Sequence, residues 1–425
     1  MPKLNQALSG KFNQDVLWNF AALSVVGVSG ILLNYIIVQF YDAPALGVFN
    51  QVIAIYMFFS QFAVLGIHQS TLKHIAEHHD DEEKQQIILT SALLLTVVIG
   101  TLFSFLCWLS AGFIGQFLES PHVETGLKYI TPGLLFFALN KVTLATLNGM
   151  RRMKAFAFFQ ATRVVLILIA VAIMFGADFA GNTLPLAFTI SEFAILILSL
   201  LMLSPWLHIP AISPLREWTR IHFNFGARGF LSGVMLELNT RVDIVMLGYF
   251  SSDAVVGIYS FAASCAMGFF QLLMILRNNY NPILAKLLGE NETQKLISMI
   301  SKGKRLTYRL ITGIGCLAIA LYYWVIPVVT TDPKLAESWI LFALLVGGIM
   351  LSSGYQPFSQ ILIQAGRPGS HTLLMAGAVT FNLLANLFLI QSWGAQGAAM
   401  ATGMAFVFSV ILLRQFVVKL VGIRI

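Results

Sequence analysis

The chain has 425 residues, 57% apolar and 11% charged, with a mean hydropathy of +0.80. A soluble domain carries roughly 25% charged residues, so this composition excludes an ordinary soluble protein; at about 20 apolar residues per crossing, a dozen spans fit. The formal charge of +7, from 26 Lys and Arg against 19 Asp and Glu, reads as the basic excess of loops kept in the cytoplasm, with no nucleic-acid partner.

Splitting the apolar runs at charge clusters and Gly/Pro/Asn turns predicts twelve membrane helices. They cover 16–38, 45–67, 87–109, 127–148, 155–176, 184–204, 222–249, 255–277, 306–329, 338–364, 371–391 and 396–418. The basic N-terminus (Lys3, Lys11) precedes an apolar run longer than a signal-peptide core, which reads as an uncleaved first span. Cys107, Cys265 and Cys316 lie in separate apolar runs and form no disulfide or metal framework. His68, His74, His78 and His79 cluster beside Asp80, Asp81, Glu82 and Glu83; the i,i+4 pair His74/His78 has metal-ligand spacing, but the stretch reads as a solvated helix end.

One alternating set of loops and termini holds 20 of the 26 basic residues, against only Lys128 and Lys334 on the other side. Both termini are therefore expected in the cytoplasm. The segment 205–221, with Pro205, Pro210, Pro214, Arg216 and Arg220, is the expected cytoplasmic joint between an N-terminal six-helix bundle (1–204) and a C-terminal one (222–425). The loop 278–305, carrying Lys286, Lys295, Lys302, Lys304 and Arg305, is expected to lie on anionic lipid.

Two segments suggest internal duplication. Phe40-Tyr41-Asp42-Ala43-Pro44-Ala45-Leu46-Gly47-Val48-Phe49 aligns with Phe250-Ser251-Ser252-Asp253-Ala254-Val255-Val256-Gly257-Ile258-Tyr259 at a constant offset of 210. A second echo pairs Asn148-Gly149-Met150-Arg151 with Ala365-Gly366-Arg367-Pro368. Two halves of like topology are the parallel-repeat plan of many transporters.

Tyr41 through Gln51, Arg241-Val242-Asp243 through Gly257-Ile258-Tyr259-Ser260, Leu147-Asn148-Gly149 and Gly394-Ala395-Gln396-Gly397-Ala398-Ala399 give the chain its resemblance to a known group. It resembles the polysaccharide transporters of the multidrug/oligosaccharidyl-lipid/polysaccharide exporter superfamily, in particular the O-antigen flippases. The resemblance implies two six-helix bundles about a pseudo-two-fold axis and a central cavity. It also implies alternating-access transfer of an undecaprenyl-diphosphate-linked oligosaccharide, a surface-polysaccharide or lipopolysaccharide repeat unit, to the outer leaflet of the bacterial inner membrane. The implied surroundings are the bilayer, a monomeric transporter, and a polysaccharide polymerase with its chain-length partner.

A flippase needs cations for diphosphate and polar or aromatic groups for sugars, and charges inside spans are where to seek them. Arg163 and Lys141, deep in helices five and four, are the expected phosphate ligands. In helix seven, Arg228, Ser232, Asn239 and Asp243 form one polar stripe, with Glu237 and Arg241, spaced i,i+4, nearly opposite. Arg228, Asn239 and Arg241 join the expected substrate contacts, as do Gln356 beside the helix-bending Pro357, and Asn382, one turn from Asn386. Asp243, Glu192 and Glu237 are the expected ion-coupling acids, Glu192 alternatively pairing with Arg163 or Lys141. Tyr35, Tyr56 and Tyr259 are candidates for sugar stacking. No P-loop, nucleophile elbow or HExxH motif is present, so neither an enzyme nor a cofactor is expected. The competing reading within the superfamily is a cation-coupled multidrug exporter; four intramembrane bases against three acids lean toward an anionic substrate. A membrane glycosyltransferase or polymerase would need a large charged outer loop, and the outer loops here are short.

Overall fold

The computed structural model describes residues 25–207, 211–290, 292–330 and 333–423. Lys3, Lys11, residues 16–24 of the first predicted span, Pro210, Arg424 and the side chains of Ser232 and Lys334 lie outside the described residues. Among the described residues the chain is all-α. The helices are α1 (Val25–Phe40), α2 (Ala43–Val64), α3 (Ile67–Glu77), α4 (Glu82–Phe117), α5 (Pro121–Gly149), α6 (Met153–Gly176) and α7 (Leu186–Leu203). They continue as α8 (Ile212–Phe250), α9 (Asp253–Gly289), α10 (Thr293–Val329), α11 (Ser338–Ser352), α12 (Ile361–Gln364) and α13 (Pro368–Val421). Nine helices among the described residues are long and apolar enough to cross a membrane.

Local chemistry sets the ends. Asp81 caps α4 by accepting the Lys84 N–H at 3.0 Å, and Ser120 caps α5 ahead of a proline at its first position. The long α13 is two helices joined at Gly394, whose φ of +52° suits glycine, and the break falls in the turn predicted between 391 and 396. The predicted single helix 338–364 is a correction of larger scale. The helix stops at Ser352, and a turn containing Pro357 precedes the short α12, so the proline interrupts the helix outright.

The chain forms two compact units: residues 1–33 with 51–234, and residues 34–50 with 235–425. The joins run through α1, α2 and α8. The reason for the exchange is visible at Gly47. A Cβ added there would lie 1.8 Å from the Asp253 carbonyl oxygen, and one added at Gly257 would lie 1.9 Å from that of Ala43. These pairs are related by the same offset of 210 found in the sequence, so the two copies of the motif pack reciprocally, backbone on backbone. Their helix starts also correspond, Asp42 capping α2 through the Ala45 N–H at 2.7 Å and Ser252 standing at the N-cap of α9.

The second echo is displaced. After α5 and after α12 the chain makes the same hydrogen-bonded reversal, Arg152 N–H to Leu147 O and Arg367 N–H to Leu362 O. The left-handed residues in these turns are Arg151 (φ +55°) and Gly366 (φ +72°). Arg151, not Gly149, is therefore the counterpart of Gly366. Gly149 answers to packing instead: an added Cβ would lie 2.9 Å from Ile75 Cγ2.

Candidate functional site

In the first unit α5 is the central helix, and Pro132 disturbs its backbone ladder. Nearby carbonyls take side-chain donors: Thr189 Oγ1 donates to Tyr129 O at 2.8 Å and Tyr56 Oη to Gly133 O at 3.1 Å. One to two turns further on, Phe137, Asn140 and Lys141 follow at i, i+3 and i+4, so they share a face. Asn140 Nδ2 donates to the backbone oxygen of Glu192 at 2.8 Å and to its Oε2 at 2.7 Å. Arg163 Nε lies 2.9 Å from Glu192 Oε1, with the Glu192 side chain 1% exposed and that of Arg163 14%. The angle at that contact is not that of a hydrogen bond, so the pair is held by charge. Arg163 Nε and Nη2 are buried without an acceptor. Phe137 brings the two predicted phosphate ligands together: Arg163 Cζ is 5.4 Å and Lys141 Nζ 5.2 Å from its ring centroid.

Of the two partners open to Glu192 in the sequence, the structure thus selects Arg163. Tyr56 is fully buried, its hydroxyl committed to Gly133 and its ring edge-on to Phe137 and Phe188. That corrects its assignment to sugar stacking, since a ring enclosed by helices has no free face.

The second unit holds a different cluster. Asp243 on α8 is 7% exposed. Its Oδ1 accepts the Ile244 N–H at 2.9 Å, and its Oδ2 accepts the Tyr259 hydroxyl and, at 3.3 Å, that of Thr402. Tyr259, fully buried, is therefore a carboxylate donor rather than a stacking platform. One turn before Asp243, the Asn239 carbonyl accepts from Asn382 Nδ2 at 3.3 Å, and Asn386 Nδ2 donates to Asn382 Oδ1 at 2.9 Å. Glu237 and Arg241 form the i,i+4 ion pair their spacing suggests, at 2.7 Å and partly exposed. Gln356 is buried at the interruption after α11. Arg228 is exposed on the stretch of α8 belonging to the first unit, so the predicted stripe from Arg228 to Asp243 is divided between the units. His74 Nδ1 lies 2.8 Å from Glu77, and among the described residues no group of His, Cys, Asp and Glu has the makings of a metal site.

Asn140, Phe137 and Thr402 are the contributors that the sequence reading missed. Asn140 carries a readable signal, an amide in the middle of an apolar span one residue before Lys141; Phe137 and Thr402 carry none, being ordinary residues for a membrane helix.

Among the described residues the chain is all-helical, with nine helices long and apolar enough to cross a membrane and charged clusters buried in both units. Residues 13–287 match the polysaccharide biosynthesis protein family, and the chain belongs to that family. A probable low-salt glycan biosynthesis flippase, Agl15 of Haloferax volcanii, is 22% identical over 202 residues, covering 48% of this chain and 43% of its own length. The chain thus matches less than half of that curated relative. Among solved structures, the lipid II flippase MurJ in an inward closed conformation superposes with a TM-score of 0.77 at 14% identity, over 95% of this chain and 87% of that one. A multidrug resistance MATE family transporter of the MOP superfamily, in an inward-facing conformation, gives the same TM-score at 13% identity, over 95% of this chain and 99% of its own. These likenesses establish the transporter fold.

Proposed function

We propose that the protein is a flippase that moves an undecaprenyl-diphosphate-linked oligosaccharide from the cytoplasmic to the outer leaflet of a bacterial inner membrane. The observation that carries this reading is the pair of cationic heads over Phe137, where Arg163 keeps buried N–H groups without an acceptor. A guanidinium so held suits the oxygens of a diphosphate, and a nearby ammonium adds a second charge. Glu192 is then the residue that positions Arg163. Asn239, Arg241, Gln356, Asn382 and Arg228 are assigned to the sugar and to the rest of the head group, and Asp243 to ion coupling, with Glu237 holding Arg241. In this reading transport proceeds by alternating access, with both termini in the cytoplasm. A polysaccharide polymerase takes the product on the far side.

A deletion strain tests it. Loss of a surface polysaccharide, with lipid-linked oligosaccharide accumulating on the cytoplasmic side, is the expected result. Intact polymer with raised sensitivity to cationic drugs would replace this reading with the multidrug exporter.

A further inference from the structure

The second unit contains another cation cluster, assembled by the interruption after α11. Residues 353–360 are fastened to α10 at two glycines. At Gly354 an added Cβ would lie 2.2 Å from Tyr308 Cε2, and the Tyr308 hydroxyl donates to Leu351 O at 3.1 Å. At Gly303 an added Cβ would lie 2.7 Å from Phe358 Cζ, and the Phe358 ring packs on Tyr280 with centroids 4.9 Å apart. Between these fastenings Tyr355 is held, buried, where two cations from other helices meet it. Lys304 Nζ of α10 is 2.8 Å from Tyr355 Oη and 4.0 Å from the ring centroid. Arg414 Cζ of α13 is 5.8 Å from the same centroid.

We propose that Lys304, Tyr355 and Arg414 form a binding site for a phosphate group, carried by an anionic phospholipid or by a free phosphate. The two cations lie less than 10 Å apart, since both distances are measured to one ring. Neither enters an ion pair among the described residues. No carboxylate among the described residues therefore offsets the two charges, and an anion would be attracted by both. The hydrogen-bond directions agree. The Lys304 ammonium donates to the Tyr355 oxygen, which leaves the phenolic proton to donate outward, beside two ammonium protons and the guanidinium fork. Three kinds of donor with no acceptor among them match a tetrahedral oxyanion with several oxygens. Arg414 is exposed and Lys304 half-buried, so the site opens to a ligand. The proposal does not rest on the flippase reading.

The test is native mass spectrometry of the full chain released from phosphatidylcholine nanodiscs doped with phosphatidylglycerol. The wild type is expected to retain phosphatidylglycerol over phosphatidylcholine. Lys304→Gln and Arg414→Gln should each weaken that retention about tenfold, as for loss of one charge-assisted contact. Arg414→Lys, which keeps the charge, should retain most of it, separating loss of the site from loss of the fold. Displacement by added inorganic pyrophosphate would make a free phosphate sufficient, and failure to displace would require the phosphate to be lipid-borne; either upholds the site. Equal retention of the two lipids, or undiminished retention in both Gln variants, overturns it. Transport does not enter the readout, so a failed flippase assay leaves this result standing.

Discussion

Among the described residues two carboxylates are buried on long helices, and their surroundings divide them. Glu192 in the first unit has a guanidinium 2.9 Å away and an amide donating to it. Asp243 in the second receives only neutral donors, the hydroxyls of Tyr259 and Thr402 and one backbone N–H. A charge in the membrane interior must be matched. For Glu192 the match is built in, so its charge serves to hold Arg163. For Asp243 no cation within ion-pair distance is found among the described residues; in the proposed function a proton or a metal cation from outside supplies the match. The same functional group thus has a cationic partner in one unit and neutral donors alone in the other.

The largest effect is expected at the pair of Arg163 and Glu192. Arg163→Ala leaves Glu192 buried with an uncompensated charge, a loss of about 3–5 kcal/mol for a broken buried pair, and transport should be abolished. A double variant, Arg163→Met with Glu192→Leu, removes both charges and should recover most of the stability but none of the transport. Thermal unfolding of purified protein and a lipid-linked oligosaccharide flipping assay read the two separately. Normal transport in the double variant would make the pair a packing device and remove the contrast.

Asp243→Asn is expected to behave in the opposite way. The amide oxygen can keep the Ile244 N–H and the amide nitrogen can donate to the Tyr259 and Thr402 hydroxyls once these rotate to accept, so the fold should change by less than about 1.5 kcal/mol, while the dependence of transport on an imposed ion or pH gradient should disappear. Unchanged gradient dependence in reconstituted vesicles would dismiss Asp243 from coupling.

The helical spans were legible because a membrane helix declares itself through twenty apolar residues, and the offset of 210, read in the sequence as a repeat alone, also marks a contact: Gly47 and Gly257 meet because both copies need a bare backbone at one crossing. The exchange of residues 34–50 into the second unit was not legible, since composition does not say which bundle a helix end packs on. Charged residues inside spans stood out as sites because each is costly there, and Arg163, Lys141, Glu192 and Asp243 all fall in clusters. Their neutral partners did not stand out. A phenylalanine under two cations and a threonine beside a carboxylate look in sequence like any other membrane residues. The two tyrosines failed for a related reason: an aromatic ring carries no mark of whether its face is open or closed, and Tyr56 and Tyr259 are closed.

The smallest expected effect concerns Lys141. His68 stands in the first turn of α3, outside the spans, half-buried, with its Nδ1 enclosed and lacking a partner. Burial first, and the Lys141 charge second, push its imidazole down to about 4 from an ordinary 6.5. Because the folded value is depressed, the stability contributed by neutral His68 is complete above about pH 6.5 and is lost as the pH falls toward 4. Lys141→Met removes the second cause and keeps the first, so His68 should titrate at a higher pH than in the wild type yet still below 6.5, with a shallower loss of stability on acidification. Histidine NMR titration in detergent, alongside unfolding midpoints from neutral pH downward, measures both. A His68 titration indifferent to Lys141→Met would mean that the ammonium does not reach this side of α5, and Arg163 alone would then face the diphosphate.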